Sequence, residues 1–146
     1  MKEIELIKGY GPYVDRLNRI MKLDLVKSFK EAGINLTPEQ WIVLSKAAAK
    51  KEMSQTELAN ATFKDSPTVS RIIDILCDRG YLIRTAIQND RRKFLISVTT
   101  SGSEVAEKAY PIVMSRRKQG WKGLSKSDFN NFIRIMETII DNYQKK

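Results

Sequence analysis

The chain has 146 residues with a formal net charge of +9, no histidine and one cysteine, Cys77. A lone cysteine excludes an intrachain disulfide and a cysteine-based zinc site, and the chain lacks histidine, the side chain most often used in metal binding and acid–base catalysis. We therefore expect no cofactor, no metal and no enzymatic activity, whereas the positive charge favours a polyanionic partner, nucleic acid before an anionic membrane.

The N-terminal region predicts a helix and not a targeting sequence. Glu3 and Glu5 stand among the first residues, unlike a signal peptide, and no apolar run reaches the ~18–20 residues of a membrane span. Apolar residues at helical spacing predict a first long helix within 10–33. We expect a cytoplasmic protein without a membrane partner.

The middle of the chain carries several signals for the ends of helices. Thr37–Gln40 and Ser54–Glu57 each have the sequence of a capping box, in which the first and last side chains bond each other's backbone N–H. Ser66–Pro67 predicts an N-cap followed by proline at the first helical position, and Gly80 predicts the end of a helix over 67–79.

Two strands and two helices complete the pattern. Segments 81–87 and 93–99 predict β-strands around a polar loop, 88–92, because the second strand alternates apolar and polar residues. Helices are predicted over 101–119, with a kink at its proline, and over 125–145. The last helix carries a wide apolar stripe, which predicts a dimer interface; the alternative is that the stripe covers the chain's own core. The stripe is formed by Phe129, Phe132, Ile133, Met136, Ile139, Ile140 and Tyr143.

The helices over 54–60 and 67–79 have the proportions of a helix-turn-helix. The second has an apolar inner face, and its polar N-terminal residues are placed to read a major groove, where Arg71 can donate two hydrogen bonds to guanine. The alternative is an amphipathic helix whose polar face is only solvated. The predicted major-groove residues are Ser66, Pro67, Thr68, Ser70, Arg71 and Asp74, and the predicted DNA-backbone contacts are Ser54, Gln55 and Thr56.

A β-hairpin directly after a helix-turn-helix is typical of a wing. The tip of this hairpin reads Asp90, Arg91, Arg92, Lys93, and long cations at this place favour insertion into a minor groove, where negative potential is concentrated. A turn that is merely solvated is the alternative.

Four segments resemble the MarR-type winged helix-turn-helix transcription regulators: TPEQWIVL (37–44), SQTELA (54–59), SPTVSRIIDILCDRGYLIR (66–84) and NDRRKFLISVTTSG (89–102). The resemblance implies a mainly α fold with a small β-hairpin wing, in which 1–146 is a single MarR-like domain. The DNA-binding lobe would span 37–102, with the helix-turn-helix at about 54–79 and the wing at about 81–99. Helices within 10–33 and 101–146 would then form a homodimer.

The resemblance also implies roles for single residues. Arg92 would enter the minor groove and Asp90 would hold it by a salt bridge. A small aromatic or anionic effector is implied between the DNA-binding and dimerisation parts, and the candidate pocket residues are Tyr13, Arg16, Trp41 and Tyr110, although aromatic residues at helical spacing are more often core. Cys77 is either an oxidant sensor or an ordinary buried thiol.

The function predicted on these grounds is a sequence-specific DNA-binding transcriptional regulator, a ligand-responsive repressor that acts as a homodimer on a palindromic operator. One alternative is a winged-helix protein-interaction module without specific DNA binding, against which the basic wing argues. Another is an alkyl-transfer enzyme using Cys77, but such a thiol needs an activating base and the chain has no histidine.

Overall fold

The computed structural model describes residues 9–145, of which 91 and 92 are described by their backbone alone. The architecture is the predicted one, mainly α-helical with a small antiparallel sheet. The chain divides into two compact units, residues 1–114 and 115–146. The first contains α1 (Gly11–Glu31), α2 (Pro38–Lys50), β1 (Glu52–Ser54), α3 (Gln55–Thr62), α4 (Ser66–Asp78), β2 (Leu82–Ile87), β3 (Asp90–Val98) and most of α5 (Thr100–Gly120), which continues into the second unit before α6 (Lys126–Gln144).

Local capping signals place the helix starts. The predicted box at α2 is present, because Gln40 N donates to Thr37 Oγ1 at 3.1 Å and Thr37 N donates to Gln40 Oε1 at 3.0 Å. At α3, Ser54 Oγ accepts from the backbone N of Glu57 at 3.1 Å. A reciprocal capping box like that of α2 begins α6, where the Ser125 and Asp128 side chains each accept from the other's backbone N.

The cap of α4 differs from the prediction. Asp65, not Ser66, is the N-cap: it is extended, with φ −70° and ψ 157°, and its Oδ1 accepts from Thr68 N at 2.8 Å. The bond from the Thr68 backbone lowers the pKa of Asp65, since it favours the charged carboxylate. A carboxylate beside the positive end of a helix is a better acceptor than the neighbouring hydroxyl, which explains the one-residue shift. Pro67 follows at the second helical position, where its missing N–H leaves no bond unmade.

The sheet contains a strand that the sequence pattern did not predict. β1 pairs antiparallel with β3, with Met53 opposite Ile96, and the strand order is β1-β3-β2. Three residues are too few to show the alternation that identifies a strand.

The wing hairpin is tighter than predicted. The expected loop 88–92 reduces to a turn at Gln88 and Asn89, and β3 already begins at Asp90. Asn89 adopts a φ of 75°, which asparagine tolerates better than most residues and which short hairpin turns require. The predicted tip cations 91 and 92 therefore belong to a strand rather than to a loop.

The core of the first unit forms where α2, α4 and the sheet meet. The inner face of α4 is buried as predicted, at Val69, Ile72, Ile73 and Leu76. Phe29 from α1 packs edge-on against Trp41 of α2, with ring centroids 6.4 Å apart. This core fixes α4 and the hairpin on one scaffold.

Phe63 terminates α3 in the left-handed conformation, with φ 57°, while its side chain is 98% exposed. A side chain with a Cβ is strained by roughly 1–2 kcal/mol there, whereas glycine is not. Phe63→Gly is therefore expected to raise the free energy of unfolding by about 0.5–1 kcal/mol, after glycine's extra unfolded-state entropy is offset. Urea unfolding measures this, with Phe63→Ala as the control that removes the ring and keeps the strain. Equal stability of the two variants would contradict the prediction.

The second unit exposes its apolar residues. Trp121 packs against Phe129 and Phe132 at ring-centroid distances of 5.5 and 6.0 Å, yet Phe129 remains 48% exposed and no residue within 126–144 is buried. In the first unit, α1 likewise exposes large apolar side chains along its length, namely Tyr13, Val14, Leu17, Ile20, Met21, Leu23 and Val26. No helix within residues 9–145 is both long and apolar enough to cross a membrane.

Candidate nucleic-acid interface

The N-terminal end of α4 presents polar groups to solvent. Ser66, Pro67 and Arg71 are exposed, while Thr68 and Ser70 are half-buried. Small hydroxyl side chains leave room for close approach, and the exposed Arg71 lies one turn further along the helix. This end of the helix has the size and the donors needed to face the edge of a base pair.

Arg84 on β2 joins the helix-turn-helix to the hairpin. Its Nη1 forms an ion pair with Asp74 Oδ1, and its Nη2 donates to the carbonyl oxygen of Ser70 at 3.3 Å, both on α4. Its Nε donates to Gln55 Oε1 of α3 at 3.2 Å. Its Cζ lies 5.3 Å from the centroid of the Phe94 ring on β3. One guanidinium therefore binds α3, α4 and β3 at once.

These contacts change what two predicted DNA-binding residues can do. Asp74 is exposed, but its carboxylate is engaged by Arg84. Because Gln55 Oε1 accepts from Arg84, its amide nitrogen is the group left to donate to a phosphate. Ser54 is committed as the cap of α3, whereas Thr56 is exposed. Sequence reasoning missed Arg84, since nothing local marks a strand arginine whose partners lie 10 and 29 residues away.

At the wing, Lys93 is exposed and Asp90 is half-buried. The side chains of Arg91 and Arg92 lie outside the described residues, so their entry into a minor groove and the Asp90–Arg92 salt bridge stay predictions. The hairpin that carries them is bonded to α4 through Arg84, whose guanidinium also lies over the Phe94 ring within the hairpin.

The C-terminal end of α4 is fixed by a separate set of bonds. Arg79 Nη1 donates to the carbonyl oxygen of Asn35 at 2.7 Å and to Gln40 Oε1 at 2.9 Å. Gly80 then turns the chain with φ 78°, as predicted, and its carbonyl accepts from Thr99 Oγ1 at 2.6 Å. Helix α4 is thus held by Arg84 along its first turns and by Arg79 at its C-terminal end.

Comparison with known proteins agrees with this geometry. Residues 36–94 match the model of the MarR family. This segment, which forms most of the winged-helix lobe, is thus similar to the MarR family. Solved structures share the fold: S. aureus MepR in a DNA complex (TM-score 0.83, 21% identity, covering 92% of this chain and 98% of that one) and a mutant E. coli MarR with operator DNA (0.79, 19%, 95% and 99%). NadR in complex with 4-hydroxyphenylacetate is also similar (0.69, 17%, 94% and 94%).

The candidate pocket residues lie in contrasting environments of the first unit. Trp41 is 4% exposed and forms part of the core, whereas Tyr13 and Tyr110 are 72% and 55% exposed and Arg16 is also exposed. An effector pocket built from these four residues stays a prediction. Among residues 9–145, no three acidic or cysteine side chains come together to hold a metal ion.

Cys77 is half-buried on α4, and burial raises the pKa of its thiol, with Arg84 acting in the opposite direction and Asp74 adding to the rise. A raised pKa leaves less thiolate at neutral pH. We therefore expect Cys77 to react with iodoacetamide at pH 7 more slowly than the thiol of the urea-unfolded chain, and to speed up only at higher pH. Rates measured by mass spectrometry test this, and a folded-state rate equal to or above the unfolded one would contradict it.

Proposed function

We propose that the protein is a sequence-specific DNA-binding transcriptional regulator, a ligand-responsive repressor acting as a homodimer on a palindromic operator. The observation that carries the proposal is the arrangement in one compact lobe of an exposed N-terminal end of α4 and a hairpin with adjacent cations. Arg84 holds the two against each other.

Each part of the lobe has a distinct role in this mechanism. The first turn of α4 enters the major groove, where Arg71 donates to a guanine and Thr68 and Ser70 reach nearby polar groups. The start of α3, with Gln55 and Thr56, rests on a phosphate, which fixes the angle of entry. The hairpin cations lie along the neighbouring minor groove, where they are drawn by its negative potential.

Homodimer formation would cover the apolar faces that the single chain leaves exposed. The stripe on α6 has Phe132, Ile133 and Ile140 more than a third exposed, and α1 offers a second apolar surface. A patch of this size is costly to leave in water, and a two-fold symmetric pair of helices buries it against itself. The resulting dimer would present two α4 helices about 34–36 Å apart, matching two half-sites one turn of DNA apart.

Regulation by a ligand requires that the ligand bind one dimer geometry better than the other. The similar fold of NadR, solved with 4-hydroxyphenylacetate, supports a small aromatic acid as the effector class. On this chain Arg16 is the candidate partner for the carboxylate, and Tyr13, Trp41 and Tyr110 are the candidates for the ring. A ligand that alters the separation of the two α4 helices would release the operator.

The experiment that tests the proposal is selection of bound duplexes from a random pool that also contains the DNA upstream of the gene. We expect an enriched, palindromic site with two half-sites about one helical turn apart. Enrichment of no sequence, with steeply salt-dependent binding to all, would leave only a basic protein attracted to phosphate. Negligible binding even at low salt would favour the protein-interaction alternative.

A further inference from the structure

We infer that Arg84 is a positioning residue for DNA recognition, which holds the wing in a fixed position relative to α4, the proposed recognition helix. Asp74 serves as the partner of Arg84 and not as a contact to bases. The inference rests on the proposed function. It states that two contributions to operator affinity depend on each other: the wing contributes only while Arg84 ties β2 and β3 to α4.

The bonding of Arg84 is the first support. The Nε, Nη1 and Nη2 atoms each bond a separate group, on Gln55, Asp74 and Ser70 respectively, and the guanidinium lies over the Phe94 ring. The Arg84 side chain is only 23% exposed, so its place on the scaffold is well defined. A lysine cannot make these contacts together, because its ammonium is a point charge without a planar fork.

The position of the bonds is the second support. Ser70 and Asp74 flank Arg71 on α4, and Gln55 is the first residue of α3, so Arg84 grips the helix-turn-helix beside the residues predicted to meet DNA. Phe94 lies four residues past the start of the wing strand. Movement of the hairpin relative to the first turns of α4 would break these bonds.

Electrostatics gives Asp74 its role. It lies three residues after Arg71, on the same side of the helix, where an unpaired carboxylate would repel the phosphates that Arg71 approaches. Its ion pair with Arg84 cancels that charge locally. Loss of Arg84 therefore has two separable effects: the outer part of the hairpin is no longer tied to Ser70 and Asp74, and a negative charge is uncovered.

A matched control lies at the other end of the same helix. Arg79 also bonds two acceptors across the fold, Asn35 O and Gln40 Oε1, and neither of these bonds reaches the hairpin or α3. Substitution of Arg79 removes a comparable anchor of α4 without releasing the wing. It reports what a purely structural arginine contributes.

The test is a double-mutant cycle between Arg84 and Arg92, measured by fluorescence anisotropy on the selected operator and on a scrambled duplex. The variants are Arg84→Ala, Arg92→Ala and the double variant, with the same cycle for Arg79→Ala. We expect each of Arg84→Ala and Arg92→Ala to lose on the order of tenfold in operator affinity. The double variant should bind the operator no more weakly than the single variant with the lower affinity. Once Arg84→Ala has released the wing, the contact of Arg92 with DNA is already lost, so Arg92→Ala has no further effect.

Three further readouts separate positioning from charge and from folding. Arg84→Ala should lower the slope of log affinity against log salt as much as Arg92→Ala does. Adding Asp74→Asn to Arg84→Ala should restore affinity only in part, since it removes the repulsion but not the mobility of the hairpin. If Arg84→Ala does not fold, Arg84→Lys takes its place in the double-mutant cycle. Lysine keeps the charge but lacks the planar fork, so we expect the same coupling with Arg92.

The contrary outcomes are equally distinct. Losses that multiply in the double variant, full recovery by Asp74→Asn, or the same coupling at Arg79 would each overturn the positioning role. Absence of any operator preference in the wild-type protein would instead reject the proposed function, so the two failures are distinguishable.

Discussion

Ile133→Glu in α6 is expected to convert the proposed dimer into monomers and to lower operator affinity more than a hundredfold. The substitution places an unpaired carboxylate in the apolar stripe, at a cost of about 2–3 kcal/mol per copy, and the two-fold axis applies it twice. A monomer can hold only one half-site, so the second recognition helix no longer contributes to binding.

Sedimentation equilibrium measures the dimer, and anisotropy measures the operator affinity. Asn131→Glu is the control, because it adds the same charge to the same helix at a polar, exposed position outside the apolar stripe. We expect this control to remain dimeric and to bind DNA. A dimer that persists in Ile133→Glu at micromolar concentration would contradict the assignment of α6 to the interface.

Gly102→Ala is expected to destabilise the lobe by about 1–3 kcal/mol, the range for overpacked sites. A Cβ at Gly102 would lie 2.1 Å from the carbonyl oxygen of Tyr81 and 3.0 Å from Val98 Cγ2, so backbone must move. The first turn of α5 approaches the Gly80–Tyr81 turn this closely because Thr99 bonds both segments, through Gly80 O and Gly102 N. The substitution thus loosens the junction between the winged-helix elements and α5.

The control for this substitution lies in the same helix. Gly120 has open space where its Cβ would stand, so Gly120→Ala should leave stability unchanged or raise it by up to ~1 kcal/mol. Thermal and urea unfolding distinguish the two variants. A Gly102→Ala protein as stable as Gly120→Ala would contradict the prediction, because it would show that the backbone around Gly102 accommodates a Cβ at no cost in stability.

Local features of the sequence predicted the helical framework well. Thr37 and Gln40 cap one another across three residues, and the apolar face of α4 is set by helical spacing, so both could be inferred from neighbours in the chain. The N-cap of α4 is Asp65 and not the predicted Ser66. Both residues satisfy the capping pattern, and only the charge of the carboxylate distinguishes them.

Features built from distant segments could not be inferred in this way. β1 exists because Glu52–Ser54 pairs with a strand more than forty residues later, at 95–97. Arg84 looks like an ordinary strand residue until α3, α4 and β3 are brought around it. The proposed role of Asp74 as the partner of Arg84 follows from that same tertiary contact. The residues that hold the candidate interface together are thus harder to predict from sequence than the residues that the interface exposes to solvent.

Sequence-specific binding through α4 is tested most directly by one titration. Wild-type protein and Arg71→Ala are titrated by fluorescence anisotropy against the selected operator and a scrambled duplex, at two salt concentrations. The proposed mechanism predicts a clear operator preference for the wild type, and a loss of about 1–3 kcal/mol in Arg71→Ala that appears on the operator and not on the scrambled duplex. An equal loss on both duplexes would make Arg71 a phosphate contact and contradict base reading by α4.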